Sequence, residues 1–222
     1  MNKIPPNQNQ FSNLNFFKFY HIDATDQDQL IVPGELIVLN DFDCPKSEYK
    51  IFWEYLQEYR IHFLDLKINQ DYVGFISANY LKKFGHTCLN NVNERIITED
   101  YVGVDCSPVM SRFRNWLFQT NLWHSGMEQY LRKYCEFANI DEKIFDVPIV
   151  YCNSFISKKN IYLNSRYLFK ENLPKVFEFF DYQLNFEAGG YGDVRKGGCL
   201  CERIWGLTIV SQSQSFNSCI NY

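Results

Sequence analysis

What this chain lacks narrows what it can be. It has no surplus of positive charge: 22 Lys and Arg stand against 26 Asp and Glu, a net charge of −4. The basic footprint that holds a nucleic-acid backbone is missing, which argues against a duplex binder. A single nucleotide-sized anion is still compatible, because a few local donors suffice to hold one. Long apolar runs are missing too. The longest, such as Ile204 to Val210, fall far short of the roughly 20 residues that cross a bilayer. The opening residues, Met1-Asn2-Lys3-Ile4-Pro5-Pro6-Asn7-Gln8, contain no apolar stretch of the secretory kind. The expectation is therefore a cytoplasmic protein with at most peripheral contact at the inner face of a membrane. None of the 8 cysteines forms a C-x-x-C pair, and Cys199-x-Cys201 has no second pair at zinc-ligand spacing. Reduced thiols filling core space are expected rather than disulfides or structural zinc. G-x-S-x-G, Walker A, G-x-G-x-x-G and H-E-x-x-H are all absent.

Aromatic side chains are abundant. There are 20 Phe and 15 Tyr, 18% aromatic with Trp included. Such rings suit a ligand-lined cleft, but the many Asn, Ile and Lys residues beside them fit a compositional bias equally well. At 222 residues and 46% hydrophobic, the chain can bury the core of one domain. Residues 1–14 are expected as a flexible tail, 15–210 as one domain and 211–222 as a second tail.

Hydrophobic patterning orders the elements. Asn15 to Ile22, Glu35 to Leu39, Tyr72 to Ser77, Tyr101 to Cys106 and Val147 to Ile156 read as strands. Ser47 to Tyr59, Ala78 to Phe84, Asn160 to Asn172 and Lys175 to Phe180 read as helices, the last two separated by Pro174. Ser125-Gly126-Met127-Glu128 spells a capping box, with Ser125 as N-cap, before a helix that carries Met127, Tyr130, Leu131 and Tyr134 on one face. Glu187 to Gly198 reads as a loop that could serve as a lid. Strands alternating with helices predict an α/β fold with a mostly parallel sheet flanked by helices. In such sheets ligands bind beyond the carboxyl ends of the strands.

Three of those ends carry short polar groups: Ser77-Ala78-Asn79-Tyr80, Asp105-Cys106-Ser107 and Asn153-Ser154. Side chains of this kind orient a sugar or nucleotide in an otherwise apolar cleft; turns and helix caps use the same types. Asp41-Phe42-Asp43 can hold a divalent cation such as Mg or Mn, though D-x-D also arises by chance. His124, beside Trp123 at a helix entrance, can meet a phosphate or carry a proton, or it can be a hydrogen-bonded core histidine. His21, His62 and His86 have no supporting neighbours in the sequence.

The richest segment is Gly197 to Val210. It reads as a helix that is apolar nearly all round: Leu200, Ile204 and Leu207 make one stripe, Trp205 and Ile209 another. Yet an acid and a base, Glu202 and Arg203, sit in its first turns. A buried charge needs a partner or a ligand. Either the pair anchors the helix to a neighbour, or it lines a site.

Several segments together resemble small bacterial glycosyltransferase-like proteins of surface-polysaccharide (capsule and O-antigen) gene clusters. Asp71 to Tyr80 is similar to the first half of a D-Y-I-G-L-x-H-Y-R-R strand end, and Val73 to Phe84 to a Y-G-F-x-S-x-x-F-x-x-K-T segment. Asn121 to Ala138 resembles the stretch after the family's second strand. Tyr151 to Lys159 resembles its Y-N-x-F-I-x-K-K element, and Gly198 to Val210 its closing G-x-L-x-E-R element. The histidine and arginines of H-Y-R-R are replaced here around Ser77, Ala78 and Lys82. The resemblance spans about Glu48 to Val210. It implies a GT-A-like, Rossmann-like domain and sugar transfer from a nucleotide-sugar donor to a glycan or lipid-linked acceptor. It also implies that Asn153 faces a sugar and that Glu202 and Arg203 lie near the reacting groups. The expected catalytic set is Glu202, Arg203 and Asp105; the expected substrate contacts are Ser77, Asn79, Tyr80, His124, Asn153 and Ser154. The alternatives are a non-catalytic carbohydrate-binding or scaffolding relative of the same fold, and a structural protein that docks through its aromatic surface.

Overall fold

The structure, a computed structural model, describes residues 14–21, 35–39, 62–63, 66–77, 100–103, 116–146, 155–188 and 196–213. Segments rich in aromatic and β-branched residues form five strands: β1 (Leu14–His21), β2 (Glu35–Leu39), β3 (Tyr72–Ser77), β4 (Tyr101–Gly103) and β5 (Phe155–Lys158). They make one sheet in the order β2-β1-β3-β5-β4. β1 pairs parallel with β2 and β3, whereas β5 opposes both β3 and β4. β4 therefore points the same way as β3, and only β5 runs against the rest.

The register fixes which ends meet. Leu39 lies opposite His21, Ser77 opposite Phe19, and Phe155 opposite both Phe75 and Gly103. The carboxyl ends of β1 to β4 and the amino end of β5 thus share one edge of the sheet. β1 has its successor β2 on one side and β3 on the other, so the winding reverses between β1 and β3. A reversal of this kind leaves a crevice at that edge.

Four α-helices are described: α1 (Trp116–Trp123), α2 (Glu128–Ala138), α3 (Lys159–Phe179) and α4 (Lys196–Ser211). α3 and α4 cover the sheet face that carries Phe75 and Phe155. The Tyr162 ring lies 4.8 Å from Phe75 and the Trp205 ring 5.6 Å from Phe155, centroid to centroid. His62 enters the same cluster, stacked on Trp205 at 3.7 Å. α2 buries Tyr130, Leu131, Tyr134 and Cys135 against this core and turns Arg132 outward to Glu128 and Glu142. It ends on Asn139 at φ 53°, where the Asn139 and Ile140 amides donate to the Glu136 and Cys135 carbonyls.

Several elements differ from expectation. α3 is one helix through Pro174, not two. Pro174 forfeits the bond to the Lys170 carbonyl, but Phe169, Leu173, Val176 and Phe177 are buried on both sides of it, and that shared apolar face keeps the helix running. Ser125 does not cap α2. The N-cap is Met127, without a side-chain bond, and Glu128 turns instead to Asn121 and Arg132. Gly126, at φ 91°, bends the chain sharply between Ser125 and the helix, so the box cannot close. β5 runs on to Lys158, beyond the expected end at Ile156. α4 starts at Lys196, inside the expected loop. Ser211, expected to open the C-terminal tail, is the last residue of α4, and Ser213 is buried and bonds back to the Val210 carbonyl. The helices expected at 47–59 and 78–84 lie outside the described residues.

Candidate functional site

Of the strand-end residues expected to bind substrate or metal, Ser77 alone lies among the described residues. Ser77 closes β3. Asp41 and Asp43 follow β2, Asn79 and Tyr80 follow β3, Asp105 follows β4, and Asn153 and Ser154 precede β5. These last seven residues lie outside the described residues. What is described is the convergence of the strands that lead to them.

The other expected residues gather around α4. Trp205 packs on Phe155, the residue that begins β5 at that edge. Glu202 precedes Trp205 by three positions, about 4–5 Å along the helix axis. Arg203 is buried, at 6% exposure, while Glu202 keeps a quarter of its side chain in solvent. The two touch through a single contact, Nη1 to Oε1 at 3.4 Å. It is long and one-pronged, far from the two-pronged geometry of a strong guanidinium–carboxylate pair.

His124, 79 positions before Arg203 in sequence, feels the charge of that guanidinium. It follows α1, its amide donating to the Thr120 carbonyl at 2.6 Å. The turn after it is clamped from above. The Glu187 amide donates to the Ser125 carbonyl at 2.9 Å, and the Phe186 ring stands edge-on to the imidazole at 6.4 Å. A Cβ on Gly126 would come within 3.2 Å of the Asn185 carbonyl oxygen, so only glycine fits this turn without displacing its neighbours. Tyr130 holds the other side of the clamp. Its hydroxyl accepts from the Asn185 amide and donates to the Gln183 carbonyl, both at 2.8 Å.

Burial first, and then the charge of Arg203, push the His124 imidazole down from its ordinary 6.5 to about 4; a hydrogen bond to the Glu187 backbone offsets part of this. That bond favours the charged ring, so the ring is its donor. Nδ1 is buried and has no partner, so the donor is Nε2 and Nδ1 carries the lone pair. Thr120, fully buried one turn earlier, also leaves its Oγ1 without a partner. An unmet buried group costs about 1–3 kcal/mol, and these two lie four positions apart in sequence. Thr120 was missed in the sequence; its spacing of four from His124 was the only signal.

His62 is a different case. It is buried among Phe75, Phe155, Tyr162, Phe169 and Trp205, with Nδ1 at 3.4 Å from the Tyr162 hydroxyl. Its partners are all far away in sequence, which is why no local pattern marks it. A groove of about 430 Å³ on α3, lined by Leu163, Arg166, Tyr167, Lys170 and Glu171, holds none of the expected site residues. The side chains of Arg166 and Lys170 there reach back to the His62 and Phe63 carbonyls, so they tie down the 62–63 segment.

Among the described residues no group of three or more His, Cys, Asp or Glu is placed to hold a metal ion. No described helix is long and apolar enough to cross a membrane. Compared with family models, with curated proteins and with solved structures, the chain matches none.

Proposed function

We propose that this chain is a GT-A-like glycosyltransferase that moves a sugar from a nucleotide-sugar donor to a glycan or lipid-linked acceptor, as surface-polysaccharide assembly requires. The observation that carries the proposal is the meeting of all five strand ends at one edge, beside the β1/β3 reversal. Glu202 or Asp105 takes the proton of the acceptor hydroxyl. The acceptor oxygen then bonds to the anomeric carbon, and the bond from that carbon to the diphosphate breaks with its electron pair on the leaving group. Arg203 and His124 offset the charge that develops there. Ser77, Asn79, Tyr80, Asn153 and Ser154 hold the sugar rings. The protein works in the cytoplasm, at the inner face of the membrane where a lipid-linked acceptor would be presented.

A divalent cation is the cofactor to consider. On α4 the described metal-donor side chains are the Glu202 carboxylate and the thiols of Cys199 and Cys201, which is poor chemistry for a hard, oxygen-seeking ion. Asp41 and Asp43 are the carboxylates to test for one, and no step above passes through a metal.

The direct test is a thermal-shift screen of the whole chain against nucleoside diphosphates and nucleotide sugars. A true donor at a hundred times its Kd adds about 2.7 kcal/mol, or about 5 °C or more in Tm for a chain of this size. Glu202→Gln should then abolish transfer with the shift retained; undiminished turnover in that variant removes Glu202 as the base.

One observation favours a second reading. The Glu202 carboxylate already touches Arg203, as it would in a carbohydrate-binding or scaffolding relative without a donor site. Such a protein would be stabilised by glycan fragments and by no nucleotide.

A further inference from the structure

We propose that residues 183–188 form a strap that opens as one unit about the Asp181–Tyr182 joint and uncovers His124 while the helices stay folded. The device is independent of the reaction the chain performs and governs what reaches the buried imidazole.

The chain leaves α3 through two consecutive non-glycine residues of positive φ, Asp181 at 49° and Tyr182 at 55°. Residues with side chains enter this left-handed region singly, Asp with some ease and Tyr rarely, so a pair of them is strained and must be held by its surroundings. Here the Tyr182 amide donates to the Phe177 carbonyl at 2.8 Å and its ring stacks on Phe177 at 6.3 Å. The Gln183 amide closes the turn on the Phe180 carbonyl at 2.9 Å. Beyond the joint, residues 183–188 form neither helix nor strand. Burial alternates along them: Leu184, Phe186 and Ala188 are buried, while Gln183, Asn185 and Glu187 are exposed. An extended segment with this period lays one side on the core and leaves the other in solvent.

The described polar ties of the strap run to one short stretch, residues 124–130. The Glu187 amide donates to the Ser125 carbonyl, and the Glu187 backbone also meets the His124 imidazole. The Tyr130 hydroxyl makes two more ties, to the Gln183 carbonyl and the Asn185 amide. Beneath the strap lies His124, 6% exposed, with the Phe186 ring edge-on to it and a buried Nδ1 that has no partner. The neighbouring helices are held by continuous turns and by buried faces, eight residues of α3 and four of α2. The strap has only these ties and two large buried side chains, Leu184 and Phe186. Local opening takes the part of a fold with the fewest such contacts, and the strained joint favours the same part.

The decisive experiment is native-state hydrogen exchange of the whole chain, read at the Glu187 amide against the Tyr134 and Cys135 amides inside α2. Glu187 should exchange at least about tenfold faster than α2 and respond less to denaturant. Tyr130→Phe deletes two ties that Glu187 does not itself make, and keeps the ring against Phe180 and Phe186. It should speed Glu187 about tenfold relative to α2. Asp181→Gly, at an exposed position, relieves the joint and should slow Glu187 severalfold relative to α2. Diethyl pyrocarbonate, which acylates a neutral imidazole nitrogen through its lone pair, reads the second half of the proposal. Acylation of His124, mapped by peptide mass, should follow the Glu187 rates across the three proteins, while His62 stays unmodified. Equal protection at Glu187 and α2, or a ratio that either variant leaves unmoved or moves the opposite way, overturns the proposal. So does a His124 acylated no faster when Glu187 exchanges faster, or a His62 acylated as fast as His124.

Discussion

Two buried histidines, His62 and His124, stand in contrast. His62 is fully enclosed by rings, stacked on Trp205 and joined to the Tyr162 hydroxyl. His124 is nearly as buried, yet one of its nitrogens has no partner and the charge of Arg203 acts on it. Burial alone therefore says little about a histidine's role. What separates the two is the account of partners: the first belongs to the core, and the second has a bond still to make. α4 carries both environments, the aromatic one at Trp205 and the polar one at Arg203, two residues apart.

The largest effect should come from the aromatic side. Trp205 touches the rings of His62, Phe155, Tyr162 and Phe169 and is almost fully buried. Trp205→Ala should cost about 3–5 kcal/mol, read as a lower denaturation midpoint with an unchanged slope. A loss well below this would mean that the cluster repacks and that His62 is not locked by it.

Next comes the pH dependence of His124. Its native value is about 4 against an ordinary 6.5. Between those values the unfolded chain holds the proton that the folded chain refuses. Stability from this group is therefore complete above about pH 6.5 and falls as pH drops toward 4, by up to about 3 kcal/mol in all. His124→Gln should flatten that limb of the stability–pH curve. An unchanged limb in the variant would place the acid sensitivity elsewhere and end the contrast with His62.

The two environments were not equally legible in the sequence. β1, β2 and β3 coincide with the expected strands to within a residue, because alternating aromatic and β-branched residues carry a local signal. The burial of α4 was legible for the same reason: its apolar stripes cover nearly the whole helix surface. The failures are where distance or backbone decided. Pro174 announces a break that the packing of Leu173 and Phe177 overrides. Ser125 and Glu128 have the spacing of a capping box, but the left-handed turn at Gly126 separates them. α1 is apolar without a helical period, so nothing local marked it. At the candidate site, Glu202 and Arg203 stood out because charge inside an apolar helix is conspicuous. That the charge of Arg203 reaches His124 depends on folding across some 80 residues of chain. The strand-end polar residues were expected one by one; that β1 to β4 finish on the edge where β5 begins follows only from the pairing.

The smallest predicted effect is the sharpest in sign, and it turns on two buried threonines. Thr208 Oγ1 donates to the Ile204 carbonyl at 2.7 Å, which uses its only proton; the Tyr134 hydroxyl, 2.6 Å away, must therefore be the donor to it. Thr208→Val deletes both bonds, strands the Tyr134 hydroxyl in the core and should cost about 1–2 kcal/mol. Thr120 Oγ1 has no bond to lose. Thr120→Val replaces a stranded hydroxyl by a methyl of nearly the same shape and should raise stability by about 1 kcal/mol. Opposite signs, read as opposite shifts in denaturation midpoint, identify the Thr120 hydroxyl as a group the fold does not need. If Thr120→Val instead destabilises as Thr208→Val does, the hydroxyl is already satisfied in solution, and the contrast between the two threonines falls.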